Sequence, residues 1–331
     1  MVFVYHAFPG RRWSDALNVG VAIFFALSGF LLYRPHLHAR AHGARAPRAR
    51  TYAVRRALRI LPAYWVALAI VIAFGLYATP APWQQFLLIQ IYAGHGFDGL
   101  VTTWSLCVEA AFYVALPFFA WGVGRWLGGR FSLRGELLAL GTVAAVSVAI
   151  RAVGDAAPSG FVARFDWMPA GAAWFAAGMA VAALNVAYSR GALVRGRELL
   201  VNSLPWWTAA CAGLVVLTFV PRNVGTGATS VGWDLVIYAL SAVIAGCVLI
   251  AAVFGSQTDV VSRILKLPIV AWLGLISYGL FLWQAVAIVF VRRHLPQIGV
   301  YPGVAVAAVV TVACAAASYY LVERLLLARK P

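Results

Sequence analysis

The chain has 331 residues, of which 63% are hydrophobic and 11% charged, and its mean hydropathy is +0.86. Soluble domains carry about 25% charged residues, so this sequence lacks the polar surface to coat a water-facing body of its size. The net charge of +16 invites a nucleic-acid reading, but the distribution of that charge argues against one.

Apolar stretches close to the roughly 20 residues that cross a 30 Å hydrocarbon core recur along the chain. Unpaired backbone cannot face lipid, and these runs are too long and too uniformly apolar for barrel strands. The expected fold is an all-α integral membrane protein, a bundle of about ten transmembrane helices in a single domain over 1–331. In chain order, a stub over 1–8 is followed by spans at 18–33, 60–78, 104–121, 136–152, 167–187, 206–221, 232–253, 267–291 and 301–322. Broken by Pro9-Gly10, the stub covers only about half a bilayer at 1.5 Å per residue. It lacks the basic region and cleavage site of a signal peptide. Either it is a half-span held by its neighbours or the start lies upstream of Met1; the second is preferred, which makes the first helix incomplete.

Placing the Arg-rich loop 34–59 in the cytoplasm and alternating sides puts 19 of the 26 Lys and Arg on that side. That is the positive-inside bias; the charge reports topology, and no nucleic-acid partner is expected. The basic loops and the C-terminus are then cytoplasmic. Cys107, Cys211, Cys247 and Cys314 all fall within spans, without disulfide or metal spacing.

Ionisable residues inside hydrocarbon are the default functional candidates, because each is costly unless paired. His6 lies in an apolar segment and is either an interfacial histidine or a general base. Glu109 is the only acid in a long apolar helix, with Trp104 and Tyr113 at helical spacing; it either locks the bundle through an arginine or works as an acid. Arg55 and Arg59, four apart, share one helical face beside Arg56. They are membrane anchors or a fork for phosphate groups. His36, His38 and His42 read as solvated loop residues, and no metal site is expected. Arg292-Arg293-His294 is a basic cluster on the far side, either touching headgroups or rimming an acceptor site.

Six segments taken together resemble the acyltransferase-3 family of bacterial membrane-bound O-acyltransferases, over most of the chain and in the family's order. They are Val4-Tyr5-His6; Phe24-Phe25-Ala-Leu-Ser28-Gly29-Phe30; Arg55-Arg56-Ala-Leu-Arg59-Ile-Leu-Pro62; Trp104-Ser105-Leu106-Cys-Val-Glu109-Ala-Ala-Phe112-Tyr113; Ser277-Tyr278 through Trp283; and Ser318-Tyr-Tyr-Leu-Val-Glu323. The sequence departs from the family at Gln284, where His is usual, and at Arg324, where Pro is common.

The resemblance implies transfer of an acyl group, usually acetyl, from acetyl-CoA or another acyl-CoA. The acceptor is a hydroxyl of a carbohydrate, glycolipid or other small molecule, as in polysaccharide modification at the bacterial inner membrane. The expected partners are membrane lipids, acyl-CoA as co-substrate and a carbohydrate or lipid-linked acceptor; no permanently bound cofactor is expected. His6 would be the general base, and Glu109 would orient it or pair with an arginine. Arg55, Arg56, Arg59, Ser28, Trp104, Ser105 and Tyr113 would line the acyl-CoA path. Two rivals stand beside this reading: a secondary transporter, which also uses intramembrane Glu, His and Arg, and a degenerate, non-catalytic family member.

Overall fold

The structure, a computed structural model, describes residues 1–76, 81–93, 100, 102–155, 167–192, 196–221, 231–256 and 259–327. Among these residues every regular element is helical. The principal helices are α1 (Val2–Ala7), α2 (Val19–His42), α3 (Ala49–Ala73), α4 (Thr103–Trp126), α5 (Leu133–Asp155), α6 (Met168–Ser189), α7 (Ser203–Phe219), α8 (Val231–Phe254), α9 (Pro268–Leu275), α10 (Ser277–His294) and α11 (Val300–Ser318). Each expected span falls on one of them except 267–291, which is divided between α9 and α10; residues 77–78 of the span 60–78 lie outside the described residues.

Among the described residues, length and composition support fewer crossings than the expected ten or so. Among the described residues seven helices are long and apolar enough to cross, and α9 with α10 makes an eighth if that pair, bent by 71°, is one span. α1 has only 6 residues and α7 only 17. The basic loop is also shorter than its charge suggests. α2 runs through Pro35 to His42, where Gly43 closes it in the left-handed conformation at φ +63°, and α3 begins at Ala49. His36 is therefore a helical residue, 8% exposed, rather than a solvated loop residue.

A network on the extension holds it beyond the proline. Arg40 donates to Glu136 at 2.6 and 3.0 Å, to the Tyr33 hydroxyl at 2.8 Å and to the Ala120 carbonyl at 3.2 Å. Tyr33 donates to the other Glu136 oxygen at 2.5 Å. Pro35 costs one backbone bond, which these five replace.

The helices fall into two compact units. The first comprises Met1–Tyr5, Pro9–Pro47 and Val114–Ile264; the second comprises His6–Phe8, Arg48–Tyr113 and Leu265–Pro331. The first is built on the contact of α2 with α6. With little hydrophobic drive between helices in lipid, association relies on close packing of small residues and on interhelical hydrogen bonds. Here Phe25 stacks on Phe175 at 4.5 Å, and both flanking glycines are required. A Cβ on Gly29 would lie 2.3 Å from the Phe175 carbonyl oxygen, and one on Gly178 would lie 1.7 Å from that of Ala26.

Gly178→Ala is therefore expected to push the two backbones apart and cost about 1–3 kcal/mol or more. The check is the thermal unfolding midpoint in detergent, set against Gly141→Ala, whose added methyl meets open space. Equal midpoints would contradict the close-packing account.

A second polar clamp ties α5, α6 and α8. Ser147 and Tyr238 share a 2.8 Å hydroxyl bond, Arg151 pairs with Asp234, and Trp174 Nε1 donates to the Tyr238 carbonyl at 3.0 Å.

In the second unit α10 and α11 pack through a small-residue contact, a Cβ on Gly279 being 2.9 Å from Ala315 Cα. The Tyr64 hydroxyl on α3 donates to the Gln85 carbonyl at 2.8 Å, which fixes the short helix Pro82–Phe86 beside it.

Candidate functional site

α1 ends at Ala7, and the last carbonyls of a helix have no partners within it. Arg292, in the last turn of α10, supplies them, donating to the Ala7 carbonyl at 2.8 Å and to that of His6 at 3.4 Å. One arginine of the Arg292-Arg293-His294 cluster thus caps the helix that carries His6, whose residue is half-buried. A basic side chain at this end also matches the helix dipole.

α3 presents its arginines on two faces. Arg55 and Arg59 are both exposed, while Arg56, about 100° round the helix, is half-buried. The Arg56 guanidinium lies over the Tyr113 ring, 5.9 Å from its centroid. Tyr52, one turn earlier, meets the same ring edge-on at 6.4 Å. The Tyr113 hydroxyl donates to Glu109, which is 2% exposed. Arg59 also acts electrostatically on Tyr113, as Glu109 does on Tyr52. Of the two partners weighed for Glu109, histidine or arginine, the geometry brings arginines to its tyrosine. Two donors in this cluster, Arg56 Nε and the Tyr52 hydroxyl, are buried without acceptors. A buried donor left unbonded costs about 1–3 kcal/mol, so the cluster suits a ligand rich in acceptor oxygens.

The break between α9 and α10 at Ile276 sets Tyr278 against α3, where its hydroxyl donates to the Ile60 carbonyl at 2.8 Å. Pro62 has no N–H to offer the Leu58 carbonyl one turn back; Tyr278 bonds the Ile60 carbonyl in the same turn of α3. Tyr278 also lies within electrostatic reach of Glu109, Glu323, Tyr64 and Tyr113.

Ser105 has a structural task, donating to the Thr102 carbonyl at 2.9 Å in the first turn of α4. Trp104 beside it is half-buried. Ser28 is 8% exposed on α2 and belongs to the first unit, whereas the other site residues belong to the second. Gln284 is 3% exposed with its Nε2 unbonded.

Tyr52, Tyr278 and Glu323 are the site residues that spacing alone does not single out. Tyr52 could have been found, since it lies one turn before Arg55 and Arg56 on the same helix. The Tyr278–Ile60 contact, across 218 positions, leaves no local mark.

The acyltransferase-domain model of the acyltransferase-3 family matches residues 1–322. The chain is 22% identical over 305 residues to the peptidoglycan O-acetyltransferase OatA of Listeria monocytogenes, covering 86% of this chain and 46% of that protein. It is 28% identical over 161 residues to nodulation protein 10 of Rhizobium leguminosarum, covering 38% of this chain and 42% of that protein. The aligned region thus spans less than half the length of either relative. No solved structure matches the chain. With all but the last nine of its 331 residues inside the family model, the chain belongs to the acyltransferase-3 family.

Proposed function

We propose that this protein is a membrane-bound O-acyltransferase that moves an acyl group, acetyl first among them, from a cytosolic acyl-CoA to a hydroxyl of a carbohydrate or lipid-linked acceptor. The observation that carries the donor half is the pair of unbonded buried donors, Arg56 Nε and Tyr52 Oη, beside Glu109–Tyr113. Phosphate and carbonyl oxygens of an acyl-CoA would satisfy them. Arg55 and Arg59 add charge on the neighbouring face, a guanidinium grouping suited to phosphate. Membership of the family and likeness to a peptidoglycan O-acetyltransferase support the acyl-transfer half.

In the reaction, the His6 imidazole takes the proton of the acceptor hydroxyl, and the oxygen attacks the thioester carbonyl carbon. The tetrahedral intermediate collapses with cleavage of the C–S bond. The thiolate of CoA leaves with the proton held by the imidazolium, and the ester remains on the acceptor. Glu109, through Tyr113, keeps the arginine cluster in place on the donor side. On this reading that side faces the cytosol and the His6 end of α1 faces the opposite side of the bacterial inner membrane, in keeping with the alternation of basic loops.

Arg56→Ala and Arg59→Ala are each expected to raise the KM for acetyl-CoA by about tenfold or more, the loss of one charge-assisted contact. The KM for the acceptor should be unchanged. Steady-state acetylation by purified membranes, with both substrates varied, reads the two constants. Unchanged donor KM in both variants would reduce these arginines to membrane anchors.

The broken α9–α10 pair is a feature that secondary transporters also use. Substrate counterflow in proteoliposomes tests that second reading, and the acyltransferase reading expects none.

A further inference from the structure

The last turn of the eleventh principal helix is irregular. α11 buries Gly303, Ala307, Thr311, Ala315 and Ser318 along one face. In a regular helix of 3.6 residues per turn, the residue five positions beyond Ser318 would lie about 140° off that face. Residues Tyr319–Glu323 instead form a π turn, whose i→i+5 bonding brings residue i+5 back beneath residue i. Glu323 accordingly sits under Ser318, whose hydroxyl donates to it at 3.4 Å, and it is 5% exposed. The π turn packs against α3, the helix that carries Arg59, so the carboxylate lies within electrostatic reach of Arg59 and Tyr278. A carboxylate buried in the protein near the end of a membrane span is costly, and a regular helix would avoid the cost by turning it outward.

We propose that Glu323, delivered to the buried face by the π turn, is a positioning residue that holds Arg59 ready for the phosphates of the acyl donor. This rests on the donor-site reading given above. The argument follows from the two side chains. Arg59 is exposed on a long flexible stem, and such a guanidinium in an apolar setting drifts toward the headgroups to find water and anions. A fixed negative charge on the neighbouring helix restrains it. A guanidinium already in place loses less freedom when the donor binds. Glu323 therefore acts on affinity for the donor and not on the chemical step.

The test compares Glu323→Gln, Glu323→Asp and Ser318→Ala with Arg59→Ala and with Arg59→Ala/Glu323→Gln in the full chain. The readouts are inhibition by free CoA and the separate KM values for acetyl-CoA and acceptor. Glu323→Gln is expected to weaken CoA and acetyl-CoA about tenfold, with kcat and acceptor KM within about twofold. Asp should restore part of the loss, Ser318→Ala should give a smaller loss of the same kind, and Glu323→Gln should add little once Arg59 is gone.

The proposal is overturned if Glu323→Gln binds CoA as well as or better than the unaltered protein. Equal damage to both KM values, or a full additional loss on top of Arg59→Ala, overturns it too. If Glu323→Gln does not fold, the Asp and Ser318→Ala variants decide on the same terms. Normal CoA binding by both Arg56→Ala and Arg59→Ala would remove the donor-site reading and this proposal together, and normal binding by Arg59→Ala alone would remove this proposal. Weak binding by Arg59→Ala with normal binding by Glu323→Gln would remove this proposal alone.

Discussion

His6→Ala is expected to lower acyl transfer by about 10²–10⁴-fold, the usual contribution of a positioned general base, while CoA binding stays as it was. A hydroxyl acceptor must lose its proton as the new ester bond forms, and neutral imidazole is suited to accept it near physiological pH. The fold adds a reason to look at this position. α1 has only six residues, too few to hold a side chain rigidly by itself, yet its last carbonyls are capped by Arg292 from α10 at 2.8 and 3.4 Å. Phe8, just past its end, packs on Tyr301, with ring centroids 6.0 Å apart. Arg292→Ala should consequently lower kcat as well, by less than His6→Ala, because the base is present but loosely held. The measurement is transfer of labelled acetyl groups by variants matched for folded protein on size-exclusion chromatography. A folded His6→Ala protein with full transfer activity would remove the histidine from the mechanism.

The sequence made the helices legible because an apolar run longer than a core helix has few other homes. Their ends were not legible. Arg34-Pro35 looks like a stop, and nothing near it reveals that Arg40 finds Glu136 across 96 positions and continues the helix to His42. The arginine motif on α3 was visible, and so was the shared face of Arg55 and Arg59. Which arginine turns inward depends on the position of Tyr113, and spacing within one helix cannot fix that. Glu109 stands out as a lone acid in an apolar run, but the spacing does not show that Tyr113, four residues on, is its hydrogen-bond partner. The role argued for Glu323 was hidden for a different reason. Helical periodicity assumes a constant 3.6 residues per turn, and the π turn over Tyr319–Glu323 breaks that assumption where it matters. Gly29 shows the opposite case. It lies in a segment read for function, and the structure gives it a packing duty, since a methyl there would meet the Phe175 carbonyl.

The largest expected loss of stability is Glu136→Ala, at about 3–5 kcal/mol, the cost of stripping one partner from a buried ion pair. Glu136 is wholly buried, and its two oxygens accept all three of its bonds from Arg40 and Tyr33. Removing the carboxylate leaves the Arg40 guanidinium with only the Ala120 carbonyl and the Tyr33 hydroxyl, a charge in an apolar setting with no counter-charge. Glu136→Gln should cost less, since the amide oxygen still accepts one bond, though the charge is lost. The double replacement Arg40→Leu/Glu136→Leu should recover much of the deficit, because apolar side chains of similar volume often replace a buried ion pair at little cost. Unfolding midpoints in detergent would rank the variants, with Glu136→Ala lowest and the double variant well above it. The network lies in the unit that holds neither His6 nor the arginines of α3, so activity per folded molecule should change less than the amount of folded protein. A midpoint for Glu136→Ala equal to that of the unaltered protein would mean that water or another group satisfies Arg40, and the network would lose its place as the support of the α2 extension.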